Sequence, residues 1–413
     1  MKTSISAFRR FLRIASLAFL LLTCSTVALA QRPDMFPDLG LLRPDGAGGT
    51  TSGVVHALAS QPDGKLLVAG EFTQTRDGVV RTHLLRLNGN GSLDPTISVS
   101  ITSGSRAVVR AIAVDADGIF IGGAFTHVGG QPRNGVAKIG FDGQVADWSP
   151  ALGSGNDVFA LALDATHVYV GGDITTADAF GLARLERASG DFDLDFYVPT
   201  QIFTATTPSA GNRGRVTALL RTDTDLIVGG YFRQIAGVER KSVARVSVTT
   251  PVVVGAYNPP ISSGALDVAA FALDAESNAL YVGGEFYSSG SQNHLVRTNA
   301  TTGALDVSWI PQPAGKVYAL ALAGRQLYVG GNFLSATQQH LMRVAVASPG
   351  AIDASWQPLP DAMVRSLLYE RGALRLHVGG AFVYADVDAR NGLARYSMAG
   401  AQLLFRDGLE AGQ

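Results

Sequence analysis

Chemistry needs reactive groups that can be brought together, and in this 413-residue chain they are few and scattered. The seven histidines (His56, His83, His127, His167, His294, His340 and His377) show neither H-x-x-x-H nor H-E-x-x-H spacing, the patterns that set two imidazoles on one helix face for zinc. Acidic residues follow a glycine cluster at Glu71, Asp173 and Glu285, and carboxylates on a common frame could bind a metal or act as an acid–base pair. The equivalent places elsewhere hold Ala, Tyr, Asn and Ala, so convergence on one site is not expected. Asp115, Asp117 and Gly118 open like a calcium loop, yet the later ligands and the closing glutamate are missing, and a hairpin turn accounts for them. A basic residue recurs at Arg86, Lys138, Arg184, Arg245, Arg297, Arg343 and Arg395. It could form a cationic ring for an acidic polymer, but its presence in every unit fits a framework residue whose stem covers apolar surface while its head pairs locally. There is no G-x-S-x-G nucleophile motif and no tryptophan-docking repeat of the quinone-cofactor kind. No catalytic residue, cofactor-binding residue or metal ligand is assigned on these grounds, and no cofactor is expected.

What must position any site is a repeat. VAGEF (68–72), IGGAF (121–125), VGGDI (170–174), VGGYF (228–232), VGGEF (282–286), VGGNF (329–333) and VGGAF (378–382) recur at intervals of 53, 49, 58, 54, 47 and 49 residues. Before each cluster stands a small apolar strand, V-x-A-L or a close variant: Val55 to Leu58, Val109 to Ile112, Val158 to Leu161, Val216 to Leu219, Val268 to Phe271, Val317 to Leu320 and Val364 to Leu367. Turns rich in Asp and Gly join the two, as in tight hairpins. A third strand follows, clearest at Leu182 to Leu185, and then a fourth segment ending in an aromatic two residues before proline: Trp148, Tyr197, Tyr257, Trp309 and Trp356. The mature chain carries no helix-period segment. The pattern predicts an all-β fold, a seven-bladed β-propeller with four-stranded blades, with six or eight blades as the alternatives. The glycines are read as packing residues where another backbone comes close, not as a phosphate cradle, which would need a helix start after them.

These units, V-x-A-L-A, a PDGK-type turn, L-x-V-G-G-x-F, R-N-G-L-A-R-L and G-x-L-D, resemble the delta-60 repeats of secreted bacterial β-propeller proteins over almost the whole mature chain. Copies one, two, four and seven keep a long second loop with its arginine (Arg81, Arg133, Arg240, Arg390), whereas copies three, five and six have shortened it and lost that arginine. The resemblance implies fold and export. It implies no chemistry, since no catalytic activity is established for that family. The tail Phe405 to Glu410 is also similar to a short terminal motif of exported Gram-negative proteins.

Residues 1–30 read as a secretory signal, with a basic start (Lys2, Arg9, Arg10, Arg13), an apolar run from Ile14 to Leu22 and the exit Ala28-Leu29-Ala30. Residues 31–53 form an approach segment that could add a ring-closing strand to the last blade, 54–405 the propeller, and 406–413 a tail. The only cysteine, Cys24, leaves with the signal; lipoprotein anchoring through it is disfavoured because Leu-Leu-Thr precedes it. No later run is long enough to cross a bilayer as a helix. Removing the signal leaves 29 basic against 34 acidic residues, a balance without the concentrated positive surface that nucleic acid requires. The expectation is a monomer in the periplasm or medium of a Gram-negative type cell, acting as a binding scaffold for a protein or glycan partner. The alternative is an enzyme with its site in the central funnel, a hydrolase or lyase directed to a sugar or lactone. The longest inter-blade connection, 198–214, places Ile202 and Phe203 in a polar loop and is the candidate partner-binding surface, against the reading that both tuck back onto the blade.

Overall fold

The structure of the chain, a computed structural model, describes residues 33–398 except 35, 105, 203–210, 212, 289–291, 336–338 and 387. The signal segment with Cys24, Phe203 and the tail from 406 lie outside the described residues. Among those described, every element is a strand of a small antiparallel sheet, and no helix is long and apolar enough to cross a membrane.

Each glycine cluster lies in the middle strand of a three-stranded sheet. These middle strands are Leu66–Glu71, Gly118–Ala124, His167–Thr175, Asp225–Tyr231, Ala279–Ser288, Gln326–Leu334 and Arg375–Gly380. One edge of each sheet is the preceding V-x-A strand: Val54–Ser60, Val108–Asp115, Asp157–Leu163, Arg215–Arg221, Ile261–Asp274, Lys316–Ala323 or Val364–Glu370. The other edge is the strand with the recurrent basic residue: Leu84–Leu87, Val136–Ile139, Phe180–Glu186, Val243–Ser247, Asn293–Asn299, Gln339–Ala345 or Leu393–Ser397. The expected fourth strand is reduced to a single bridge in six sheets, as at Leu87 with Leu93 and Val344 with Ile352. The reason is local. The next residue, an aspartate in four of them (Asp94, Asp193, Asp306, Asp353), turns its carboxylate back onto the backbone N–H two residues on and swings the chain away.

V-x-A strands pack on one another in chain order, and Val364–Glu370 packs on Val54–Ser60. The glycine pair makes this possible. In six of the seven clusters the first residue of the pair is glycine, and a methyl group there would overlap a valine side chain of the next sheet: Gly122 faces Val158, Gly283 faces Val317, and Gly379 of the last sheet faces Val55 of the first. A methyl on the second glycine of any cluster (Gly70, Gly123, Gly172, Gly230, Gly284, Gly331, Gly380) would overlap a backbone carbonyl of its own sheet's V-x-A strand. That carbonyl is pushed inward because every V-x-A strand carries a β-bulge at x, between Val55 and Ala57, Val109 and Ala111, and so on to Val364 and Ser366. The phenylalanine after the pair is buried in all six copies that have it, and Ile174 takes its place in the third.

The recurrent basic residues are framework. Arg86, Arg184, Arg297 and Arg343 pair with Asp94, Asp193, Asp306 and Asp353 of the outer segment of their own sheets, with Nε–Oδ2 distances of 2.9, 2.7, 3.0 and 3.0 Å. Arg86, Arg184, Arg245, Arg297 and Arg395 also donate across to a carbonyl of the following sheet, at Phe141, Val248, Ala300, Val346 and Gly89. The outer aromatics Trp309 and Trp356 are buried beneath Arg297 and Arg343. In the third sheet Phe196 takes this place under Arg184, and Tyr197, expected from the spacing to proline, is exposed.

In the last sheet the outer place is taken from the other end of the chain. The Asp34 N–H donates to Arg395 O at 2.7 Å, as Asp353 N–H donates to Arg343 O in the sheet before. Asp34 Oδ2 accepts from Arg395 Nε at 3.0 Å, and Phe36 lies under the Arg395 guanidinium with 4.4 Å to its ring centre. Arg390, one of the long-loop arginines, donates to Asp34 O.

Candidate binding channel

The seven bulges have a common consequence. A bulged residue is re-aimed relative to its strand, and the seven x residues, His56, Arg110, Phe159, Thr217, Ala269, Tyr318 and Arg365, all line one cavity of about 340 Å³. Each is half-buried after a buried valine, and in every sheet but the first the Ala or Ser that follows is buried too. Arg215, Asp267 and Lys316, two residues before x in the fourth, fifth and sixth sheets, complete the lining. The valine before x and the Ala or Ser after it repeat in every sheet, and the lining residue between them does not.

The charges in the channel are mostly compensated across sheets. Arg110 Nε lies 3.0 Å from both carboxylate oxygens of Asp157. Arg215 meets Asp173 at 3.1 and 2.8 Å, and Lys316 Nζ meets Asp267 Oδ2 at 2.6 Å with Glu285 3.6 Å away. Burial works against the Lys316 charge, but Asp267 outweighs it and raises the lysine above its ordinary value. Thr217 Oγ1 lies 2.9 Å from Asp267 Oδ1 and 2.7 Å from the Val268 carbonyl oxygen, within reach of donating to either, and so ties the fourth sheet to the fifth. The guanidinium groups of Arg110 and Arg215 both lie over the Phe159 ring, 5.0 and 5.2 Å from its centre.

Arg365 differs. It stacks on the Tyr318 ring at 4.9 Å, but no carboxylate pairs with it among the described residues, and its Nε is buried without a hydrogen-bond partner. Burial pulls it below its ordinary value and Arg110 adds to that, while Tyr318 and Glu71 oppose. Beside it, burial followed by the charges of Arg365, Arg110 and Arg43 lowers the His56 imidazole to about 3, so His56 is neutral at physiological pH.

The residues singled out from the sequence do not form this site directly. Glu71 pairs with Arg43 at 2.9 Å and with Arg106; Asp173 and Glu285 act as the ion-pair partners above, so the three carboxylates do not converge. Asp115 and Asp117 both accept from Arg187 at 2.6 Å. His83, His294 and His340 sit at positive φ at the start of the third strand, a backbone role. One group among the described residues could hold a metal, His167 with Glu186 and Asp193, but Asp193 already accepts the Arg184 guanidinium as the framework aspartate of its sheet. Ile202 is half-buried after the short strand Thr200–Gln201 and does not line the channel. Sequence reasoning passed over the x residues; the available signal was their variety between an unvarying Val and an unvarying Ala or Ser.

A family described as a domain of unknown function (DUF5122) beta-propeller matches residues 61–96, 116–145 and 278–308. No curated protein matches the chain. Among solved structures, the extracellular domain of a candidate one-component system from B. thetaiotaomicron superposes with a TM-score of 0.52 at 14% identity, covering 87% of this chain and 40% of that one. The extracellular domain of a hybrid two-component system of the same organism gives 0.51 at 15%, covering 84% and 38%. A chain of a mitotic checkpoint complex gives 0.51 at 15%, covering 90% and 95%. This chain thus spans about two fifths of the two bacterial relatives. At these identities the likeness speaks to fold alone, and with the family match it supports a β-propeller repeat protein with no helix in its described frame.

Proposed function

We propose that the chain is an exported, seven-bladed β-propeller whose ring is closed by the N-terminal segment, and that it serves as a binding scaffold with its ligand in the central channel. The carrying observation is the contrast between seven repeated frames and seven dissimilar residues aimed into one cavity. Packing explains the repeated residues, and it does not explain Arg, His, Phe and Tyr at equivalent bulges. Asp157 and Asp267 are each already engaged, by Arg110 and by Lys316 with Thr217, and are not set against one another as an acid–base pair, which ranks binding above a hydrolase or lyase. The extracellular placement of the bacterial neighbours accords with a periplasmic or secreted site of action.

The test is a thermal-shift panel of sugars, sugar acids and dipeptides against the mature protein, repeated with Phe159→Ala and Tyr318→Ala, with mass analysis of any hit after incubation. The proposal expects stabilisation that the channel substitutions abolish and a ligand recovered unchanged. Conversion of the ligand would establish the enzyme reading instead. The loop holding Ile202 and Phe203 is proposed as a separate partner contact; replacing residues 201–212 with a Gly-Ser linker would leave it a packing element if stability falls while partner binding persists. Export predicts a mature protein beginning at Gln31.

A further inference from the structure

We infer that the channel binds a small organic carboxylate, its carboxyl group held by Arg365, with Arg110, His56 and Tyr318 as neighbouring donors. The inference rests on the channel reading above and names the chemistry of its ligand. Four cationic side chains line the cavity, and three of them are neutralised by a carboxylate of an adjacent sheet: Arg110 by Asp157, Arg215 by Asp173, Lys316 by Asp267. The fourth, Arg365, stacks on the face of Tyr318 and has no carboxylate in ion-pair contact among the described residues; Glu71, which acts on it from further off, is itself paired with Arg43 and Arg106. An Arg side chain desolvated near a second Arg without a counter-ion is unfavourable for the empty protein, and a bound anion removes that cost. The Arg365 head itself has no paired anion, and a carboxylate supplies one with less added charge than a phosphate dianion brings. The planar guanidinium also matches a carboxylate through two parallel N–H···O bonds.

The neighbours fit an oxyanion. His56 is neutral and makes no hydrogen bond among the described residues, so it can donate one N–H without adding charge. Tyr318 lines the same cavity, and no hydrogen bond of its hydroxyl is made among the described residues. The cavity, about 340 Å³, limits the ligand to a small molecule.

The experiment uses the mature protein and four probes: galacturonate with its neutral counterpart galactose, and phenylacetate with phenylacetamide, each at millimolar concentration, together with inorganic phosphate and sulfate. Thermal unfolding is measured for wild type, Arg365→Gln, Arg365→Lys and Tyr318→Ala. The expected result is a Tm rise of at least about 2 °C with one or both carboxylates and none with the amide or neutral sugar. Arg365→Gln should weaken binding on the order of tenfold to a hundredfold, with Arg365→Lys in between.

A second readout separates a ligand anchor from a structural residue. Without ligand, Arg365→Gln should unfold at the same temperature as wild type or higher, because an uncompensated charge has been removed. A lower Tm for the unliganded variant would make Arg365 a framework residue and overturn the inference. Equal or better protection by phosphate or sulfate, or no response to either carboxylate, would also overturn it. Protection by galactose or phenylacetamide that is lost in Tyr318→Ala would leave the channel reading standing and remove the carboxylate, whereas indifference of every hit to channel substitutions would remove both.

Discussion

A methyl group at Gly284 would overlap the Asp267 carbonyl oxygen, and that overlap is a property of the bulge in the strand opposite, not of the glycine's own conformation. Gly284→Ala should therefore destabilise by about 2–3 kcal/mol, since backbone has to move. Gly255→Ala, where the added carbon meets open space, should stay within about 0.5 kcal/mol. Urea unfolding of the two variants checks the contrast; equal effects would contradict it. His56 gives the residue-scale prediction in pH. The folded protein holds it neutral down to about 3, whereas the unfolded imidazole protonates near 6.5, so between these values the unfolded state binds more protons. The stability it contributes is complete above pH 6.5 and is lost as pH falls toward 3. His56→Gln should accordingly lose less Tm than wild type between pH 6.5 and 4.5. His83, His294 and His340, also lowered by burial, should leave some slope in the variant, and parallel Tm curves for the two proteins would contradict the assignment.

The sheets are held to one another by the arginine of the third strand, and the first sheet shows the arrangement most fully. Arg86 and Asp94 are both almost fully buried, and Arg86 also reaches Phe141 O of the next sheet at 2.8 Å. Burial opposes the Asp94 charge, yet hydrogen bonds from Thr96, Lys65 and Arg86 hold its carboxyl well below the ordinary range. Arg86→Ala strips Asp94 of its buried partner, leaving Lys65 at 2.9 Å, and should cost about 2–4 kcal/mol, against less than about 1 kcal/mol for Arg76→Ala, whose exposed side chain pairs with Asp38 at 2.8 Å. Chemical denaturation of both variants decides whether the recurrent arginine is a staple or a surface charge. The framework role of this residue was legible in the sequence because it recurs in every unit. The bulge was not, because one extra residue in a V-x-A strand changes neither composition nor hydrophobic pattern, and so the aim of His56, Arg110 and Arg365 stayed hidden. Likewise Phe196 and Tyr197 are adjacent aromatics, and only packing under Arg184 separates the buried one from the exposed one.

At the scale of the molecule, the account joins the ends of the chain. Val55 packs on Gly379, Arg395 reaches Gly89 O of the first sheet, and Asp34 with Phe36 completes the outer edge of the last sheet. The short edge of the last repeat pointed to this segment in the sequence, but not to Asp34 and Phe36, because D-x-F copies the D-x-x-W spacing only loosely. Asp34→Ala should lower stability by roughly 1–3 kcal/mol by stripping a partner from the buried Arg395. The most direct measurement is a crystal structure of the protein from Gln31 onward. The account predicts seven sheets around one channel lined by His56, Arg110, Phe159, Thr217, Ala269, Tyr318 and Arg365, with Asp34 bound to Arg395. Six or eight sheets, or a gap between Val54–Ser60 and Val364–Glu370, would contradict it.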